Sequence, residues 1–255
     1  DAIKTSLQRG QIPIGEIRLG IYGNEDPMYI LAGLPFIAPD YSSAWLLKDV
    51  QMGYLQEKFA KKGLMILYTS PWPGQGFYTK SPVNSVADFK GKKLRIYSTA
   101  TQQMGSMLGF NATILPFAEI PQAFSTGLIE ALFTSPQTGI DIQAWDNTKH
   151  FTYAGAIFSK NAVVVSKKAF NALSKDDQSN ILAAAKKAEL RGWEMSAETT
   201  KKQIDILKKN GMSAKNAPDE VISKMKSIGL EMMKSWRSKA SPEANAVLDR
   251  YLSMR

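Results

Sequence analysis

Residues 92–135, KKLRIYSTATQQMGSMLGFNATILPFAEIPQAFSTGLIEALFTS, hold the pattern that decides the fold. Three short apolar runs, KKLRIY, ATILPF and IEALFTS, alternate with helical stretches from about Thr99 to Leu108 and over AEIPQAFSTG. Links of that length are crossovers, and strands joined by helical crossovers build a mainly parallel sheet. One residue breaks the apolar pattern: Arg95 sits inside the first strand. If that strand alternates, Leu94 and Ile96 share one face and Arg95 and Tyr97 the other, near the carboxyl end, where open α/β sheets bind ligands.

Working outward, GFYTK and the turn SPVNS precede this block, and a helix to Trp145, a strand YAGAIF and a buried-strand candidate NAVVVS (161–166) follow it. On the N-terminal side, Ala2 to Gln8 reads as the end of a helix. IPIGEIRLGIYG (12–23) reads as extended, and a helix from about Ser43 to Lys62 closes at Gly63. LMILYTS (64–70) is a continuous apolar run, as in a strand covered on both faces, and PWPGQG (71–76) interrupts the pattern. After Ser166 the chain reads as almost wholly helical. Ser174 and Asp177 form a capping-box start to a helix that runs past Trp193 towards Leu207. Pro218 opens another, with Val221, Met225, Ile228, Met232 and Trp236 on one face, so its methionines read as core filler.

The 255 residues are 44% hydrophobic, enough for one large or two smaller cores. No apolar run approaches the length of a membrane span. Cysteine is absent, which excludes disulfides and thiolate metal sites. The net charge of +9 favours anionic partners, yet the lysines lie in dispersed pairs such as Lys61-Lys62 and Lys208-Lys209 on helical stretches, so no nucleic acid is expected.

Catalytic chemistry is thinly supplied. His150 is the only histidine, and no G-x-S-x-G elbow, Walker A sequence or EF-hand loop is present; GQG at 74–76 lacks the third glycine of a dinucleotide fingerprint. Neither catalytic residues, nor a metal, nor a cofactor is expected. Arg95 remains, because a guanidinium taken out of water is costly unless paired. It pairs internally with Glu119 or Glu130, or is exposed, or its planar fork grips a ligand carboxylate.

The stretch 85–131, beginning SVADFKGKKLRIY, resembles the signature region of DctP-type substrate-binding proteins of TRAP transporters. The matching positions are Asp88, Lys90, Gly91, Lys93, Arg95, Glu119, Thr126, Gly127 and Glu130, supported by LPF at 34–36 and AFNALSKDDQ at 169–178. The resemblance implies an α/β, bilobed periplasmic-binding-protein-like fold, with mainly parallel sheets in both lobes and a long lobe-spanning helix. Lobe I is expected over 1–72 and 160–200, lobe II over 73–159 and 201–255. It also implies a periplasmic receptor, not an enzyme, that hands a small organic acid to TRAP membrane permease subunits. Arg95 then binds the substrate carboxylate and Phe117 covers the ligand.

Thr134 and Ser135 fall in ALFTSPQTG, which replaces a commoner D-G-x-E-N-P pattern. Gln75 stands where some members carry a second arginine; Trp72 beside it stacks on the ligand or packs in the core or hinge. Arg18 and Tyr22 lie on the segment that reaches the cleft. One cation among several aromatics favours a monocarboxylate over a dicarboxylate. Relative to the family, a strand, helix and strand before Asp1 are expected to be missing, as is a signal peptide. The alternatives are an α/β enzyme acting on a carboxylate substrate and a receptor for an ATP-driven importer.

Overall fold

In the computed structural model, which describes residues 2–255, helix α1 (Ala2–Gln8) leads into strand β1 (Ile14–Arg18), followed by helix α2 (Tyr41–Ala60) and strands β2 (Leu64–Pro71) and β3 (Gly76–Thr79). The crossover block is β4 (Lys93–Ile96), α3 (Thr99–Met107), β5 (Asn111–Ile114), α4 (Ile120–Ser125) and β6 (Ala131–Thr134). Then come α5 (Pro136–Asp141), β7 (His150–Tyr153), β8 (Lys160–Ser166), α6 (Lys167–Asn171), α7 (Lys175–Lys209), β9 (Ser213–Asn216), α8 (Asp219–Lys239) and α9 (Pro242–Met254). None of these helices is long and apolar enough to cross a membrane.

The strands form two sheets, a six-stranded one in the order β5-β4-β6-β3-β7-β9 and a three-stranded one in the order β1-β8-β2. In the larger sheet β4 pairs in parallel with both β5 and β6, and β7 with β9, while β3 runs antiparallel to its neighbours. The smaller sheet corrects the expectation for its lobe, since both of its pairings are antiparallel. Its central strand β8 enters from the larger sheet in the direction opposite to β1 and β2. LMILYTS is buried as an antiparallel strand between α2 and α7, so an apolar run covered on both faces did not mean parallel pairing.

Other differences are local. The extended reading of 12–23 stops at Arg18, and Leu19–Tyr22 coils into a 3-10 turn. The strand placed at YAGAIF ends at Tyr153, and β9 interrupts the region read as helical. The stretch 201–255 divides: β9 joins the six-stranded sheet, whereas α9 lies on α2, with the Tyr251 hydroxyl donating to the Ile37 carbonyl at 2.7 Å. The apolar stripe of α9 (Ala244, Leu248, Tyr251) therefore seals the side of the molecule that carries the smaller sheet.

Two crossing segments connect the sheets. The β2–β3 link and the β7–β8 link run together, with the Trp72 amide donating to the Ser159 carbonyl at 2.8 Å and the Gly155 amide to the Gln75 carbonyl at 2.9 Å. Helix α7 also bridges the two, since Glu189 accepts from the Thr69 amide of β2 at 2.9 Å and Gln203 donates to Gln137 of α5 at 2.9 Å. Its 35 residues at about 1.5 Å rise each give a rod roughly 50 Å long, enough to span both layers.

The LPF segment is pinned beside this junction by the Phe36 amide, which donates to the Ala156 carbonyl at 2.7 Å, with Phe36 at φ 57°. Gly229 of α8 packs directly on the Pro35 carbonyl, where an added Cβ would sit closer than van der Waals contact allows. Gly229→Ala is therefore expected to lower stability by about 1–3 kcal/mol, the usual range for overpacking. Helix propensity alone predicts a gain of about 1 kcal/mol. Chemical denaturation of the purified variant separates the two signs.

Candidate functional site

The parallel block places Arg95 by simple topology. The chain passes from β4 through α3 to β5, then back through α4 to β6 on the other side of β4. That reversal leaves a crevice beyond the carboxyl ends of the strands, the usual ligand position in such sheets. Leu94 and Ile96 pack with Met104 of α3 on one face. Leu132, the register partner of Arg95 on β6, packs with Ile120 and Ala123 of α4 on the other.

Arg95 is 2% exposed, and it is paired with neither Glu119 nor Glu130. Its Nε donates to the Leu115 carbonyl at 3.1 Å, which orients the guanidinium and leaves the two terminal nitrogens facing a cavity. The Tyr97 ring lies 5.9 Å from the guanidinium carbon. Burial pushes the Arg95 guanidinium down to about 10, and repulsion from Arg18 adds to the shift. Arg18, half-buried at the end of β1, is lowered for the same first reason, desolvation. Two cations thus approach one cavity, and neither forms an ion pair with a described residue.

The cavity, about 450 Å³, lies where the two sheets meet at the crossing segments and has the size of a small-molecule site. Eight of the nine residues expected there line it: Arg18, Trp72, Gln75, Arg95, Tyr97, Phe117, Thr134 and Ser135. Tyr22 does not. The 3-10 turn after Arg18 breaks the alternation that would keep both side chains on one face, and Tyr22 is buried with the Lys4 ammonium 4.1 Å over its ring.

Gln75, 2% exposed, is already engaged, accepting from the Tyr97 hydroxyl at 2.6 Å and donating to the Ser159 hydroxyl at 3.0 Å. It holds the wall between the crossing segments. Trp72 is tied by its indole N–H to Asn161 at 3.1 Å and presents its ring to the cavity. Phe117 is 46% exposed in the short turn before α4, an apolar lip at the mouth. Ser135 caps α5, accepting from the Thr138 amide at 3.1 Å.

Three lining residues escaped sequence reasoning: Thr138, Asp141 and Ser159. The first two sit three apart on α5 and so share a face, a spacing legible once that helix is delimited. Ser159 lies between two segments read as strands and carried no signal. Among the described residues no cluster of His, Asp and Glu could hold a metal ion.

Two sheets joined by paired crossing segments, with a cavity at the junction lined by two arginines, make an α/β scaffold of two lobes around a small-molecule-sized cleft. The model of the family described as bacterial extracellular solute-binding protein, family 7 (DctP) matches residues 2–239, and the chain belongs to that family. Among solved structures, DctP7, a Bordetella pertussis extracytoplasmic solute receptor binding pyroglutamic acid, is 38% identical with a TM-score of 0.95, covering 98% of this chain and 83% of that one. A marine metagenome TRAP solute-binding protein in complex with co-purified pyroglutamate is 34% identical with a TM-score of 0.93 and the same coverage. A solute-binding protein of Chromohalobacter salexigens is 25% identical over 213 residues; the match takes in 80% of this chain and 62% of that protein's length.

Proposed function

We propose that this protein is the extracytoplasmic solute receptor of a TRAP transporter, acting in the periplasm, binding a small cyclic monocarboxylate and delivering it to membrane permease subunits without chemical change. One observation carries the reading: a fully buried arginine whose terminal nitrogens face a cavity and have no carboxylate partner in the protein. Leaving such a cation unpaired is strongly unfavourable, and a ligand carboxylate gripped bidentately removes that penalty. Arg18 adds a second positive charge from the opposite sheet. Trp72 and Phe117 supply apolar walls that exclude water, and Thr134 and Ser135 add hydroxyls. Pyroglutamate, the ligand of the solved relatives at 38% and 34% identity, offers a carboxylate to the arginines and a small ring to the apolar walls. The two sheets serve as the cores of two lobes that close on the ligand, the crossing segments acting as the hinge.

Thermal unfolding with pyroglutamate, malate, galacturonate and glucose tests this. Pyroglutamate at about 100 times its dissociation constant is expected to stabilise the protein by about 2.7 kcal/mol, and glucose not at all. A shift with glucose and none with any acid would overturn the carboxylate reading; a shift with malate alone would overturn the monocarboxylate preference.

A further inference from the structure

Asp141 is the oddity in this cavity. A carboxylate on the wall of an anion site repels the ligand unless the ligand offers it a hydrogen-bond donor, and Asp141 is paired with neither Arg18 nor Arg95. Its orientation is set from behind. Gln203 on α7 donates through Nε2 to Gln137 Oε1 at 2.9 Å, which fixes the Gln137 amide so that its own Nε2 donates to Asp141 Oδ1 at 2.7 Å. Oδ2 has no partner among the described residues. The relay leaves an oriented, negatively charged acceptor on the same helix face as Thr138, in the cavity that holds the Arg95 guanidinium.

We infer that Asp141 is the specificity-determining residue of the site: it accepts a hydrogen bond from an N–H group of the ligand while Arg95 takes the carboxylate, so the receptor selects cyclic carboxylates that carry an N–H donor beside the acid. A lactam acid has this arrangement, with the ring N–H and the carboxylate on one carbon. The corresponding lactone acid has the same shape and charge but a ring oxygen in place of N–H. It sets a lone pair against Asp141. The inference rests on the carboxylate reading of the cavity and adds the second pole of recognition.

Isothermal titration of the full chain with pyroglutamate and with 5-oxotetrahydrofuran-2-carboxylate, its lactone analogue, provides the test. The lactam is expected to bind about 10- to 100-fold more tightly, the span of a hydrogen bond to a charged group. In Asp141→Asn the Gln137 amide still demands an acceptor, so the new side chain turns its oxygen to Gln137 and its NH2 to the cavity. The preference is then expected to fall to near unity or reverse. Asp141→Ala abolishes it without reversal. Because Asp141 is exposed, both variants are expected to keep the melting temperature of the parent, and the ratio of the two ligands within each variant removes any change common to both. Equal affinities for lactam and lactone in the parent protein, or an unchanged ratio in Asp141→Asn, overturn the inference while leaving Arg95's role intact. Binding of neither compound overturns the ligand reading and this inference together.

Discussion

Arg95→Met is expected to abolish measurable ligand binding and, in the same protein without ligand, to raise stability. The opposite signs share one cause. Arg95 is held dry, repelled by Arg18 and tethered only through Nε to the Leu115 carbonyl, so the empty receptor carries a charge that its own residues do not neutralise. Removing one partner of a buried, hydrogen-bonded charge pair costs about 2–5 kcal/mol of binding, or roughly 30- to 5000-fold in affinity. A methionine of similar length relieves the desolvation penalty and forfeits one hydrogen bond. The net gain is about 1 kcal/mol, read as a rise of about 2–4 °C in melting temperature for a chain of this size. Titration calorimetry and thermal melting on one preparation measure both. Unchanged affinity would remove Arg95 from the site, and a ligand-free variant less stable than the parent by several degrees would make Arg95 a structural residue. With its pKa near 10, Arg95 stays charged between pH 6 and 8, so it contributes no pH dependence to binding there.

The second large effect belongs to Lys160, which begins β8 directly behind the site. The residue is 6% exposed, and its ammonium donates to Gln51 Oε1 at 2.8 Å and has no carboxylate of its own; the nearby Lys48 is taken by Glu189 at 3.1 Å and Asp49 at 2.6 Å. Desolvation, reinforced by repulsion from Lys48, pushes the amine down to about 7, against an ordinary value of 10.5. Below pH 7 the amine is charged in both the folded and the unfolded chain, and the cost of burying the charge is fully present. Between about 7 and 10.5 the folded protein sheds the proton while the unfolded chain keeps it. Stability therefore rises with pH, by up to about 1.4 kcal/mol per unit from this one group. Lys160→Met is expected to be flat where the parent rises, with the largest gain over the parent at pH 6. Urea denaturation midpoints at pH 6, 7.5 and 9 decide it, and parallel profiles for the two proteins would show that Lys160 is not the titrating group.

Much of this architecture was legible in residue order. The alternation of short apolar runs with capped helices between Lys92 and Ser135 located β4, α3, β5, α4 and β6 and their parallel pairing, because crossover length leaves the chain no other short path. Arg95 was legible for a related reason: a guanidinium in an apolar strand carries a desolvation cost wherever the strand ends up. The Tyr22 expectation failed because alternation holds only while the backbone stays extended, and the turn at Leu19 ended it. Ser159 carried no local signal, since a serine between strands looks the same in sequence whether or not it lines a cavity, and the shared face of Thr138 and Asp141 becomes legible only once α5 is delimited.

By itself the sequence determined what depends on near neighbours: strand and helix periods, the capped start of the long helix, a cation near the end of an apolar strand, and the family likeness built on them. Tertiary structure alone decided that the three-stranded sheet is antiparallel, that α9 returns to cover α2, and that Asp141 is oriented through Gln137 and Gln203 into the same cavity as Arg95. Strand direction and cavity lining are set by contacts between residues tens to more than a hundred positions apart. Such contacts depend on how whole layers pack against one another, which no local pattern along the chain encodes.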